Sequence, residues 1–385
     1  VLRLALSSVV LSGPGSAERL GMALRKQGIR TVFVVSGSHT SETSVARRAR
    51  ASMDAAGVLV VESARSTAVP TIAEAEALSL EIERSAAATV VAIGGGSTID
   101  LAKVALIAVA EGRPVEQHAV VYRPGEDPEL PRLTSAKLPL VAIPTTFSGS
   151  EGNGSGLMRG GTERFTRSFR DDAVAPSLVV LDPLAGREQD PRSTIASALN
   201  AIAHGVDAIY SRHRSPFSDA VATESLRTMF RVLPALARAP DDPLARTDAQ
   251  WASLLGGIAI RHAYVGVHHA IAHALVSHAG VPHGIAHAVT LPTTIGWHLA
   301  RLPATESTRL ADRLPVDWEQ ALRAAAAAVN LPPSLREAGI DHNALGALAE
   351  DAFHDRGTGN EIMTISREDV STILADAWSG HASHR

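Results

Sequence analysis

The chain has 385 residues, of which 45% are hydrophobic and 20% charged, with a net charge of −4. That length exceeds one simple core and points to two domains, and mild acidity without an extended basic run argues against a nucleic-acid surface. Cysteine is absent, which excludes disulfides and thiolate metal sites, so any metal would rest on imidazole and oxygen ligands.

The opening VLRLALSSVVLSGPG is a short apolar run that leads straight into GPGSAERLGMALRKQG, a turn and an amphipathic helix. It reads as a first strand rather than a signal peptide. No stretch approaches the about 20 apolar residues of a membrane span, and a cytoplasmic protein is expected. TVFVVSG (31–37) reads as a buried strand, followed by a helix through SETSVARRARASMDAAG. GVLVVES (57–63) is the next strand, and TIAEAEALSLEIERSA the next helix. TVVAIGGG (89–96) and LPLVAIPTT (138–146) are apolar runs that end in glycine, proline or threonine. Strands separated by helices imply βαβ units and a parallel sheet, with ligands at the carboxyl ends of the strands. After Leu181-Asp182-Pro183 the pattern becomes almost continuously helical, broken at Ser215-Pro216, Ala239-Pro240, Val281-Pro282 and Leu331-Pro332. The expected division is an α/β domain over 1–182 and a nearly all-α domain over 183–385.

Three stretches carry chemistry. In VVAIGGGSTIDLAKVAL a buried strand stops at Gly94-Gly95-Gly96 and a helix begins with Ser97 or Thr98 as the expected cap. Glycines let backbone N–H groups approach an anion, and the helix N-terminus adds partial positive charge, so the turn suits a pyrophosphate or is a plain tight turn. In AIPTTFSGSEG, Thr145, Thr146 and Ser148 form a hydroxyl cluster at a like strand end, where a cofactor could lie. The third is histidine-rich. On a helix, residues four apart share a face, which pairs Asn200 with His204 in ALNAIAHGVDAIY and His269 with His273 in HHAIAHALVSHAGVPHGIAH. Gly280 and Pro282 break that second helix, and His283 opens the next. Three histidines and an oxygen ligand from separate helices suit a divalent ion. His262, His268, His278 and His287 fall at other angles and need not share that role.

GGGSTIDLAK, PTTFSGSE, NAIAHGVDAIY and HHAIAHALVSHAGVPHGIAHAVTLP, in this order, resemble the iron-containing (group III) alcohol dehydrogenase family, and within it the maleylacetate reductases. The resemblance runs from SGPGSAERLG to LPPSLREAGI and ISREDVSTILADAW. It implies a dinucleotide-binding α/β domain with a parallel, Rossmann-like sheet, an all-α C-terminal domain and an active site between them. It also implies a homodimer, an NADH or NADPH cofactor, and a small carboxylic-acid or carbonyl substrate. Maleylacetate reductases reduce a conjugated oxo-acid to 3-oxoadipate. By motif, Gly95, Gly96 and Ser97 would hold the pyrophosphate with Asp100 nearby. Thr145, Thr146 and Ser148 would line the nicotinamide side. The metal positions, for Fe2+ or Zn2+, fall on Asn200, His204, His269 and His283. His273 matches the proton-relay histidine.

The chain departs from the family pattern at four points. Asn200 stands where metal-dependent members carry aspartate, and an amide brings no charge to a divalent ion. Gly37 stands where many members carry an aspartate that pairs with the adenosine ribose, so NADPH should be tolerated alongside NADH. ERFTRSFRDDAV has Arg167 and Arg170 in place of lysine, suited either to a carboxylate substrate or to a solvated edge. TGNEIMT lacks an asparagine-proline-arginine signature. Three other readings stay open: a metal-dependent alcohol or aldehyde reductase of a biosynthetic pathway, a dehydroquinate synthase-like or glycerol dehydrogenase type, which the histidine spacing disfavours, and a cofactor-binding homologue without turnover.

Overall fold

The computed structural model describes residues 8–67, 69–122, 128–160 and 166–380. The first seven residues of the opening stretch and residues 163–165 of the basic stretch lie outside them. The chain divides into two compact units, one holding residues 8–121 and 129–189, the other residues 190–380 with Tyr122 and Pro128. The division therefore falls between Gln189 and Asp190, past the expected boundary after residue 182. The intervening residues are tied to the first unit by side chains. Asp182 accepts from the backbone N–H groups of Gly15 and Ala17, Glu188 accepts from Ser44 N at 2.8 Å, and Gln189 donates to Thr145 Oγ1 at 2.8 Å.

The first unit alternates strand and helix as its period-2 and period-3.6 patterns predict. Its elements are β1 (Val9–Ser12), α1 (Leu20–Lys26), β2 (Thr31–Gly37), α2 (Ser44–Ala55), β3 (Leu59–Ser66), α3 (Ile72–Ser85), β4 (Thr89–Gly94), α4 (Gly96–Glu111), β5 (Leu140–Pro144), a hairpin of β6 (Ser155–Arg159) and β7 (Thr166–Arg170), and β8 (Leu178–Leu181). The third strand starts and ends later than GVLVVES suggested, because Gly57 closes the turn after α2 at φ +66°. Six strands form one parallel sheet in the order β1-β8-β5-β4-β2-β3.

Both faces of this sheet are covered, so its central strands are apolar throughout. Every residue of β4 and β5 is buried. Val32, Val34, Val91, Ile93, Val141 and Ile143 pack on one face with Leu20, Leu24 and Ala49 of α1 and α2. Phe33, Val35, Val90, Ala92, Leu140 and Ala142 pack on the other with α3 and α4. A parallel arrangement brings the carboxyl ends of β2, β4 and β5 to one edge. There the chain turns back from β2–β3 towards β5, the switch point where open α/β sheets bind ligands.

The second unit is helical, as its texture predicts: α5 (Pro191–Tyr210), α6 (Pro216–Arg238), α7 (Pro243–Ala263), α8 (Val267–Ala279), α9 (His283–Arg301), α10 (Ala304–Ala311), α11 (Trp318–Ala328), α12 (Leu345–Phe353) and α13 (Arg367–Ser379). Proline sits at the first position of α5, α6 and α7, where its missing N–H costs nothing. Gly280, at φ +68°, ends α8 in the left-handed conformation. None of the described helices is long and apolar enough to cross a membrane.

Candidate active site

Each unit presents one chemically unusual place. In the first it is the turn after β4. Helix α4 starts at Gly96 with Gly95 as its N-cap and no side-chain cap. This corrects the expectation of a Ser97 or Thr98 cap. Thr98 instead lies in the first turn, with Oγ1 2.7 Å from Ser66 Oγ. An uncapped helix start leaves its first N–H groups to a ligand, which is the basis of phosphate binding at such turns.

The turn leaves little space for side chains. A Cβ on Gly94 would collide with Thr98, one on Gly95 would lie 3.2 Å from Thr146 Oγ1, and one on Gly96 3.0 Å from Ser148 Cβ. The two polar turns are thus in direct contact, as their like strand ends predict. Gly37, at the end of β2, is a close neighbour of Thr98 as well, since its Cβ would come 3.3 Å from Thr98 Oγ1. The Asp100 carboxylate is turned to Ser150 Oγ and to Leu157 N, 3.4 Å away.

A residue the sequence reading passed over anchors this region. Lys103 is fully buried, and its ammonium donates to Ser150 O, Ser150 Oγ and Ser155 O at 2.7–2.8 Å. A buried ammonium needs such partners, and these pin the loop after Thr146 to α4. Arg167, on β7, pairs with Glu116 at 3.3 Å, with 42% of its side chain exposed.

In the second unit the place is the histidine cluster. Helix α5 carries Asn200 and His204 on one buried face, and α8 carries His268, His269 and His273, all buried. The rings of His204 and His269 stack at 4.8 Å and 9°, and His273 lies 6.1 Å from His269. His283 starts α9, exposed at its outer side, 6.4 Å from His273. His287 sits between, 4.6 Å from His269 and 4.4 Å from His283. His268 and His287, which spacing set apart, are therefore full members of the cluster. His278 pairs with Asp351 at 2.7 Å, and His262 packs edge-on against Phe217.

Carboxylates that the sequence reading did not single out orient these rings. Asp207, fully buried, accepts from His269 Nδ1 at 2.6 Å, Gly266 N at 2.7 Å and Tyr210 OH at 2.7 Å. With its proton on Nδ1, His269 keeps a lone pair on Nε2, and that atom is buried without a hydrogen-bond partner among the described residues, as is His204 Nδ1. Burial, then the neighbouring His269, pushes His204 well below the ordinary imidazole value, and burial with His273 does the same to His269. Both rings are neutral.

His273 Nδ1 lies 3.0 Å from Asp355. Burial opposes ionisation of Asp355, but His273, together with Arg356 and the Gly357 N–H, outweighs it and holds the carboxyl at about 2. Glu361, within TGNEIMT, accepts from Val267 N at 2.6 Å and faces His298 at 3.3 Å. Burial raises its pKa. Asp207 lies three residues past His204 and was within reach of a helical reading. Asp355, 82 residues from its histidine, had no local signal.

Residues 7–183 match the iron-containing alcohol dehydrogenase family and residues 194–378 match the Fe-containing alcohol dehydrogenase family, C-terminal. The chain belongs to the iron-containing alcohol dehydrogenase family. It is 30% identical over 384 residues to maleylacetate reductase 2 of Cupriavidus pinatubonensis, covering 96% of this chain and 94% of that one. It is 25% identical over 377 residues to alcohol dehydrogenase 4 of Saccharomyces cerevisiae, 95% and 96% covered. The iron-containing alcohol dehydrogenase of Thermococcus thioreducens superposes with a TM-score of 0.85 at 25% identity, over 98% of this chain and 100% of that one. As a family member the chain is an NAD(P)-dependent oxidoreductase using NADH or NADPH.

The residues fit the family's metal only in part. His204 and His269 are neutral and offer an orphaned nitrogen each, the form a metal ligand needs. His283 engages His287: its Nε2 lies 3.0 Å from His287 Nε2. Among the described residues no three His, Asp or Glu side chains are grouped to hold an ion. The expected set of His204, His269 and His283 is thus not grouped among the described residues in this arrangement, where His287 engages Nε2 of His283.

Proposed function

We propose that the chain reduces a small conjugated oxo-acid, of the maleylacetate type, with NADH or NADPH. The observation that carries this reading is Asn200 on the same buried helix face as His204, where the neutral amide leaves the site short of the anionic ligand a Lewis-acid ion prefers. Full-length similarity to maleylacetate reductases supports it. In such a reduction the nicotinamide hydride adds to the carbon β to the ketone, electron density moves onto the ketone oxygen, and a proton completes the α carbon. The product, for maleylacetate, is 3-oxoadipate.

The side chains divide that work as follows. The uncapped turn at Gly95, Gly96 and Ser97 holds the pyrophosphate, with Thr145, Thr146 and Ser148 beside the nicotinamide, and Gly37 leaves room for a 2′-phosphate. His273, its Nδ1 proton held by Asp355, exchanges the substrate proton through Nε2. His204, as the Nδ1–H tautomer, donates to the charge that builds on the ketone oxygen, and His269 stacks against its ring. A homodimer is the expected assembly.

A second reading has its own support. The orphaned nitrogens of His204 and His269 suit a divalent ion, which would supply Lewis acidity to an alcohol or aldehyde substrate. One experiment separates the two: oxidation of NADH and NADPH with maleylacetate and with simple aldehydes, before and after chelation and metal readdition. Maleylacetate turnover that survives chelation upholds the first reading. Turnover of aldehydes alone, abolished by chelation, replaces it with the second.

A further inference from the structure

Helix α9 carries a polar stripe through its apolar surroundings. His283, His287, Thr290 and Thr294 recur at steps of three, four or seven residues, the spacing of one helical face. His268, from α8, inserts into this stripe. The contacts run in one line: His283 Nε2 to His287 Nε2 at 3.0 Å, His287 Nδ1 to His268 Nε2 at 2.8 Å, and His268 Nδ1 to Thr294 Oγ1 at 3.4 Å. Thr294 Oγ1 then lies 2.9 Å from Thr290 O. His287, His268 and Thr294 are wholly buried, while His283 is exposed at the outer end.

Such a line has a direction. A backbone carbonyl only accepts, so the single Thr294 hydroxyl proton goes to Thr290 O, and Thr294 must accept from His268 Nδ1. A neutral imidazole has one N–H and one lone pair. His268 therefore accepts at Nε2, His287 donates from Nδ1 and accepts at Nε2, and His283 donates from Nε2. Both inner rings are wholly buried, where a charged imidazolium is costly, so the bookkeeping closes with neutral rings. Because the line ends on a carbonyl that can pass no proton on, it does not conduct. It orients.

We propose that His287 is a positioning residue, whose one-way hydrogen-bond line to His268 and Thr294 locks His283 as the Nε2–H tautomer with its lone pair on Nδ1. His283 then acts towards a ligand through Nδ1, and an ion approaching Nε2 finds a proton there. The importance of this for turnover rests on the reductase reading above. The tautomer itself does not.

The test uses the chelator-treated enzyme labelled with 15N in its histidine rings. Two-bond 1H–15N correlation at pH 8 reads the tautomer of each ring, and His283→Gln assigns its signals. His283 should show a pyrrole-type Nε2 and a pyridine-type Nδ1. Two variants of His287 divide the line. His287→Gln places an amide oxygen near the Nε2 position, keeps an acceptor for His283 and should preserve its pattern. His287→Asn reaches only the Nδ1 position, leaves His283 unpartnered and should give a mixture of tautomers. With maleylacetate and NADH, His287→Asn should lower kcat on the order of 10-fold, the effect of losing an outer partner of a site histidine, and His287→Gln should lower it much less. KM for NADH should be unchanged in both. An Nδ1–H tautomer of His283 in the parent enzyme overturns the proposal, as do equal tautomer mixtures or equal kcat losses in the two variants. The expected tautomers in a chain that turns over no oxo-acid would uphold the lock and sink the reductase reading.

Discussion

The glycine turn and the histidine cluster solve opposite problems. At the turn the proposed working groups are backbone N–H groups of α4, and side chains matter chiefly by their absence, since a Cβ would collide at Gly94 and sit tightly at Gly95 and Gly96. In the cluster the backbone is ordinary helix, and function rests on which ring nitrogen carries a proton. A backbone site is damaged by bulk. A tautomer-defined site is damaged by an exchange of donor for acceptor that changes no volume. The contrast teaches that the two places are sensitive to different changes, one to bulk and the other to the placement of a proton.

The predictions press on that contrast. The largest effect should come from His273→Ala, which removes the proton-exchanging ring and should lower kcat on the order of 10²–10⁴-fold with cofactor affinity little changed, as read by steady-state kinetics and NADH titration. A fall in cofactor affinity instead would show that His273 serves binding. Next is Asp207→Asn, an isosteric change. The new amide can donate to His269 Nδ1, which reverses the tautomer and puts a proton on Nε2, and kcat should drop on the order of 10²-fold. Retention of activity would break the claim that the cluster depends on proton placement.

At the turn the sensitive change is bulk. Gly96→Val should weaken NADH binding by about 10-fold, one hydrogen bond's worth of misplacement, measured by fluorescence titration, while the ring tautomers of the cluster stay as they are. A smaller shift is expected from Gly37→Asp. Its carboxylate should oppose a 2′-phosphate and reduce the kcat/KM for NADPH relative to NADH several-fold. The smallest effect is on stability. His268 titrates at about 3 in the folded chain against an ordinary 6.5, so between these values the unfolded chain binds more protons. Stability is full above pH 6.5 and declines as pH falls towards 3. Urea midpoints should decrease steadily from pH 7 to 5, and a flat profile would mean that the inner histidines are not held neutral.

Much of this was legible along the chain because it is local. The strand ends at Gly94 and Pro144 were marked by apolar runs meeting small residues, and the pairs Asn200–His204 and His269–His273 by helical spacing. Where the reading missed, a partner from elsewhere decided the outcome. Thr98 was expected as a cap, but Ser66 on a neighbouring strand engages it. His268 and His287 fall at different angles on their own helices, and only the packing of α8 on α9 brings them within 2.8 Å.

By itself, then, the sequence determined the strand and helix order, the α/β and all-α texture of the two halves, the glycine turn and the family. These follow from periodicity, turn chemistry and ordered motifs, which act over a few residues at a time. Only the tertiary structure decided that Asp207 serves His269, that Asp355 serves His273 and that His287 engages Nε2 of His283. Hydrogen bonds between buried groups depend on distances across helices, and spacing along one chain segment carries no record of them.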